Sequence, residues 1–128
     1  AVTRDRVADI HLRKTGALIA ASLALGALAG GAAETAIVEL HDIGLDLGFA
    51  FQIRDDLLNA DSTLSRLGKR AGTDAARGKA TWPGAVGVKQ ARLDATELHA
   101  AVARRLATLG PRARRLRALV DRLAERDS

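Results

Sequence analysis

Between about Ala33 and Asn59 the sequence places Ile37, Leu40, Ile43, Leu47, Phe51, Ile53 and Leu58 at spacings that leave little polar surface on a helix. A helix that is apolar nearly all round is buried among other helices. A chain of 128 residues must therefore supply neighbours on several sides of this segment. Leu and Ala dominate the apolar residues, aromatics make up only 2%, and strand formers are scarce. The expectation is an all-α domain over residues 1–128, with long antiparallel helices as the simplest packing.

One polar stripe interrupts the apolar helix. Gln52, Asp55, Asp56 and Asn59 stand at i, i+3, i+4 and i+7, which puts them on one face. Two carboxylates on a buried helix are costly unless paired or bound to cations. Carboxylate and amide oxygens suit a hard cation such as Mg²⁺. The stripe contains no His and the chain no Cys, which argues against zinc and excludes disulfides.

Around this helix the sequence predicts a short helix from Thr3 to Leu12, with Thr3 as its cap. A second runs from about Thr15 to Leu28 and ends at Gly30–Gly31. Lys14-Thr15-Gly16 opens that second helix, and its N-terminus would add backbone donors for an anion. From Ala60 to Thr81 periodicity fades, and a long loop is expected, of the kind that is often functional. It carries Lys69 and Lys79, each preceded by Gly. Pro83 suits the first turn of a helix to about Leu109, Gly110-Pro111 breaks it, and a last helix covers Arg112 to Glu125.

The net charge of +5 admits nucleic acid, a membrane surface or a polyanionic small molecule as partner. Much of the excess lies in RARRLR (Arg112 to Arg117), which reads as a solvated helix face without the interleaved aromatics of a nucleic-acid platform. The uncharged run Ala17 to Ala33 falls short of the about 20 residues of a membrane span, so a buried helix is expected there. No secretory signal is visible, and a cytoplasmic location is expected. His11, His41 and His99 lack a second His at ligand spacing and read as structural, as does Trp82.

The run GFAFQIRDDLLN, followed by LGKRAGTDAARGKATWP and preceded by HLRKTGALI, resembles the second aspartate-rich region of trans-isoprenyl diphosphate synthases, nearest the farnesyl or geranylgeranyl type. The three blocks span about residues 11 to 83 in family order. The resemblance implies the C-terminal part of the isoprenoid synthase fold and a Mg²⁺-dependent condensation of an allylic diphosphate with isopentenyl diphosphate. It implies that Asp55 and Asp56 bind Mg²⁺, with Asn59 beside them and Asp74 supporting the metal shell through water. Lys14, Lys69 and Lys79 would contact the allylic diphosphate. Thr15 and Gln52 would face the developing carbocation, and Phe51, with Phe49 second, would line the hydrophobic pocket. A terpene cyclase of the same fold fits less well, because its metal motifs differ.

Two departures qualify that expectation. The family's DDxxD reads DDLLN here, so Asn59 keeps an oxygen and loses a charge. The family's first aspartate-rich motif has no counterpart in residues 1–128; Asp5 and Asp9 do not form one. One metal-binding wall of a two-walled site is therefore expected. The chain is then expected to be a fragment of a longer enzyme or one chain of a split one, with a homodimer or a partner chain supplying the first motif. The alternative is a non-catalytic or regulatory subunit that binds diphosphate only with such a partner.

Overall fold

The computed structural model describes residues 3–67 and 80–125, the side chains of 62–67 excepted. It is built of helices: α1 (Arg4–His11), a π-helical turn (Leu12–Gly16), α2 (Ala17–Ala29), α3 (Glu34–Leu67), α4 (Trp82–Val86), α5 (Val88–Thr108), a 3₁₀ turn (Pro111–Ala113) and α6 (Arg114–Glu125). The expected all-α antiparallel architecture is observed.

Each boundary has a local cause. Thr3 caps α1, its hydroxyl accepting from the Arg6 amide at 3.3 Å. Thr81 caps α4 in the same way toward Gly84 at 3.1 Å, with Pro83 in the first turn. Gly87 (φ 91°) separates α4 from α5, so the single helix expected from Pro83 to Leu109 is two. Glycine reaches that left-handed conformation without the Cβ penalty. In the expected loop from Ala60, the helix instead continues to Leu67.

α3 is the hub, and α2 and α5 pack along it most extensively. Gly48 meets Gly16, and one turn back Gly44 meets Ala20. Rising numbers on α2 meet falling numbers on α3, so the pair is antiparallel. The approach is close: a Cβ on Gly44 would lie 2.5 Å from the Ala20 Cα. α5 runs antiparallel to α3 as well. Arg92 at one end bonds Asp61 at 3.0 Å, and Arg105 at the other bridges Asp46 at 3.2 Å and Glu39 at 2.8 Å.

Two apolar clusters hold the helices together. Val7, Ile53, Leu57, Trp82, Ala91 and Ala95 join α1, α3, α4 and α5. Ile43, Leu47, Val102, Leu106 and Val120 join α3, α5 and α6. Each fully buried Ile, Leu or Val here contributes about 1.5–3 kcal/mol of transfer free energy. α2 has little such burial: Leu18, Leu25 and Leu28 remain 70%, 64% and 61% exposed. The continuous helix Arg4–Ala29 is, by length and composition alone, long and apolar enough to cross a membrane. It is longer than the uncharged run suggested, because α1 and α2 join through the π turn.

Candidate functional site

The π turn positions the Lys14–Thr15 pair. Five residues, Leu12–Gly16, wind with i→i+5 bonding between two α-helices. Such single π turns often mark functional sites. Lys14-Thr15-Gly16 therefore does not open a helix, as the sequence suggested. It lies mid-helix, where the amides are engaged in the helix, so the expected anion-binding helix N-terminus is absent at Thr15. Gly16 lets Gly48 approach: a Cβ on Gly48 would lie 2.6 Å from the Gly16 Cα.

That approach brings the Thr15 hydroxyl to Gln52, where it donates to Oε1 at 3.0 Å. Gln52 Nε2 donates in turn to Asp56 Oδ1 at 3.1 Å. An ionised carboxylate only accepts, so the Gln52 amide must turn its nitrogen to Asp56 and its oxygen to Thr15. The polar stripe of α3 is thus joined to the Lys-Thr segment by a directed chain of hydrogen bonds.

The stripe does not act as one uniform face. Asp56 is 5% exposed, and its Oδ2 accepts from the Trp82 backbone amide at 3.1 Å and stands 3.3 Å from His11 Nε2. The sequence reading gave both aspartates to the metal; the structure draws the oxygens of Asp56 into contacts within the protein. Asp55 is half-buried and Asn59 exposed, one helical turn apart. Lys14 is exposed. Lys69, Lys79 and Asp74 lie outside the described residues.

The two phenylalanines also separate. Phe49, three residues before Gln52, lies on the same side as that residue. Its ring packs against His11 (centroids 5.7 Å apart) and edge-on to Trp82 (4.9 Å). Phe51 is turned about 100° away on the helix. It borders a small space with Leu47, Ala50, Arg54, His99, Leu123 and Ala124, toward α6. Phe51 stands one turn before Asp55 and Phe49 one turn before Gln52, so the two rings flank the stripe on opposite sides. A larger cleft of about 530 Å³ involves Arg4, Phe49, Trp82, Asp94 and Arg104.

His11, read from the sequence as structural, is buried and paired with Asp56, a partner that sequence reasoning missed. Its partner is a carboxylate far along the chain, so a search for paired histidines could not find it. Gly16, Ala20, Gly44 and Gly48 were also passed over, although two sets of small residues four apart were visible in the sequence.

The donor set can be tested against Mg²⁺. Among the described residues no three His, Cys, Asp or Glu side chains form a metal cluster. Asp55 and Asn59 offer oxygens one turn apart. That set fits magnesium, which uses one or two carboxylates and completes its shell with water and substrate phosphates. A closed zinc cage would need more.

Comparison with known proteins matches residues 1–114 to the polyprenyl synthetase family model. The chain is 38% identical over 128 residues to a chloroplastic geranylfarnesyl diphosphate synthase of Leucosceptrum canum, covering 99% of this chain and 35% of that protein. It is 43% identical over 98 residues to farnesyl diphosphate synthase of Escherichia coli, covering 76% and 33%. A geranyltransferase structure from Helicobacter pylori superposes with a TM-score of 0.76 at 26% identity, covering 96% of this chain and 39% of that one. The chain spans about a third of the length of these curated relatives.

Proposed function

Because the chain belongs to the polyprenyl synthetase family, we propose that it forms the diphosphate- and magnesium-holding part of a trans-prenyltransferase. The reaction condenses an allylic diphosphate with isopentenyl diphosphate to a longer trans-prenyl diphosphate of the farnesyl or geranylgeranyl kind. The observation that carries this reading is the bonded chain Thr15–Gln52–Asp56, which ties the Lys-Thr segment to the paired aspartates.

The chemistry needs no protein nucleophile. The allylic C–O bond breaks with its electrons leaving on the diphosphate, the isopentenyl double bond attacks the cation, and a proton is lost. Asp55 and Asn59, with Asp56 beside them, would hold Mg²⁺, which when bound would supply positive charge for the departing diphosphate. Lys14, Lys69 and Lys79 add ammonium groups, and Asp74 supports the metal shell. Gln52 and Thr15 present fixed oxygen dipoles where positive charge develops. Preorganised dipoles of this kind cost no reorganisation during reaction. Phe49 and Phe51 provide apolar surface on either flank of the stripe.

A second wall must come from elsewhere. The support is the one-third coverage of the relatives and the exposed leucines of α2. A preceding segment of a longer protein or a partner chain would contribute the first aspartate-rich motif, while a homodimer would cover α2 without adding that motif. The DDLLN stripe favours a second reading, a non-catalytic or regulatory subunit that binds diphosphate only with a partner chain. A cytoplasmic location agrees with the absence of cysteine, although some plant relatives are chloroplastic by name.

Calorimetric titration of the chain with inorganic diphosphate, with and without Mg²⁺, tests the binding claim. Binding that requires Mg²⁺ and falls at least tenfold in Asp55→Asn and in Lys14→Ala is expected. Equal binding by all three proteins would refute it.

A further inference from the structure

We propose that His11 is a positioning residue for this site: with Asp56 it forms a buried latch that sets Gln52, and through Gln52 the Thr15 hydroxyl. The inference rests on the functional reading above for what the latch serves, but the latch itself stands on geometry.

The side chains of His11 and Asp56 are 4% and 3% exposed, with Nε2 3.3 Å from Oδ2. The carboxylate accepts, so Nε2 carries the hydrogen. Nδ1 has no hydrogen-bond partner among the described residues. Among the described residues, His11 is therefore held by its polar contact with Asp56 and by the packing of its ring against Phe49. A buried polar atom left without a partner is costly and calls for an explanation. Here the imidazole is retained in an apolar setting because its other nitrogen reaches Asp56.

Three segments converge on that one carboxylate. His11 brings the end of α1, Gln52 lies one turn earlier on α3, and the Trp82 amide opens α4. His11 also lies immediately before the π turn that carries Lys14 and Thr15. The latch thus fixes the turn against α3 at two points, His11–Asp56 on one side and Thr15–Gln52 on the other. Neither His11 nor Asp56 needs to touch substrate for this. Adjacent residues on a helix point about 100° apart, so Asp55 and Asp56 can hold different roles. Asp56 faces inward to the latch, whereas Asp55 is half-buried on the neighbouring side of the helix.

Nuclear magnetic resonance on the intact chain tests the proposal. Its readouts are the Gln52 side-chain amide pair and the Trp82 backbone amide. The Trp82 indole N–H, bonded to Asp94 at 2.8 Å, reports whether the fold persists. His11→Leu, which keeps bulk but removes the donor, is expected to move the Gln52 and Trp82 backbone signals while the indole signal stays. His11→Gln, with an amide donor near the Nε2 position, is expected to restore them. Unmoved Gln52 signals in His11→Leu overturn the proposal. So does a His11→Gln protein that is folded but no closer to the parent than His11→Leu.

A second arm adds inorganic diphosphate with Mg²⁺ and follows the Thr15 amide. The parent and His11→Gln are expected to respond, and His11→Leu to respond more weakly. A parent that gives no response removes the diphosphate reading, while the first arm still decides the latch.

Discussion

Gly48 stands over Gly16 so closely that a Cβ on Gly48 would lie 2.6 Å from the Gly16 Cα and 2.9 Å from its nitrogen. Backbone atoms cannot swing aside, so α3 and the π turn would have to separate. Gly48→Ala is expected to destabilise the chain by about 1–3 kcal/mol, the usual cost of overpacking. It would also lengthen the 3.0 Å Thr15–Gln52 bond. Gly26, also helical, has nothing within 4 Å of its Cβ position. Gly26→Ala should therefore stabilise by roughly 0.5–1 kcal/mol, from helix propensity alone. Urea denaturation of the two variants checks the contrast, and similar midpoints would refute it.

Thr15→Val keeps the shape of the side chain and removes the donor to Gln52. A net loss of about 1 kcal/mol is expected, typical for one intramolecular hydrogen bond with its acceptor left in place. Thermal unfolding measures it. A variant as stable as the parent would mean that Gln52 is held by Asp56 alone.

Ile53 is fully buried in the cluster that contains Val7, Leu57 and Trp82. Ile53→Ala should cost about 2–5 kcal/mol, since a cavity remains where the side chain was. Leu25, 64% exposed, should tolerate Leu25→Gln with little change in the chain's own stability. If α2 docks a partner, the same variant should weaken that association. Denaturation midpoints and co-purification with the partner give the two readings.

Arg105 holds two carboxylates that respond to acid in opposite senses. Its hydrogen bond keeps Glu39 below the usual carboxylate range. Burial pushes Asp46 up despite the charge of Arg105. Glu39 contributes stability that is present above its unfolded value of about 4.5 and lost as pH falls through its lower folded value. Asp46 favours its protonated form in the fold, so its contribution is present below about 3.8 and lost as pH rises through its higher folded value. At pH 7, Glu39→Gln should therefore lower the urea midpoint and Asp46→Asn should hold or raise it. Near pH 3 both differences should shrink. Equal losses in both variants at pH 7 would contradict this assignment.

Much of this was readable from residue spacing. The polar stripe was legible because 3.6 residues per turn sets Gln52, Asp55, Asp56 and Asn59 on one side. Its subdivision was not, because adjacent aspartates look alike until a neighbour shows which one faces inward. The π turn leaves no mark in LRKTG, where Gly16 suggests a helix boundary rather than a close crossing. The helix beyond Asn59 was missed for another reason: periodicity reports burial, and Asp61 is exposed and tied instead to Arg92. Gly87, read as part of one helix, breaks it because only its φ of 91°, not its identity, distinguishes a helical glycine from a stop.

On the proposed function, this chain supplies one wall of a prenyl-condensing site. Magnesium-dependent condensation of geranyl diphosphate with isotopically labelled isopentenyl diphosphate should be measured for the chain alone, and for the chain mixed with the part of Escherichia coli farnesyl diphosphate synthase it does not match. Product in the mixture, lost in Asp55→Asn and absent from either piece alone, is the predicted result. Undiminished condensation by the Asp55→Asn mixture, or by the unmatched part alone, would contradict it.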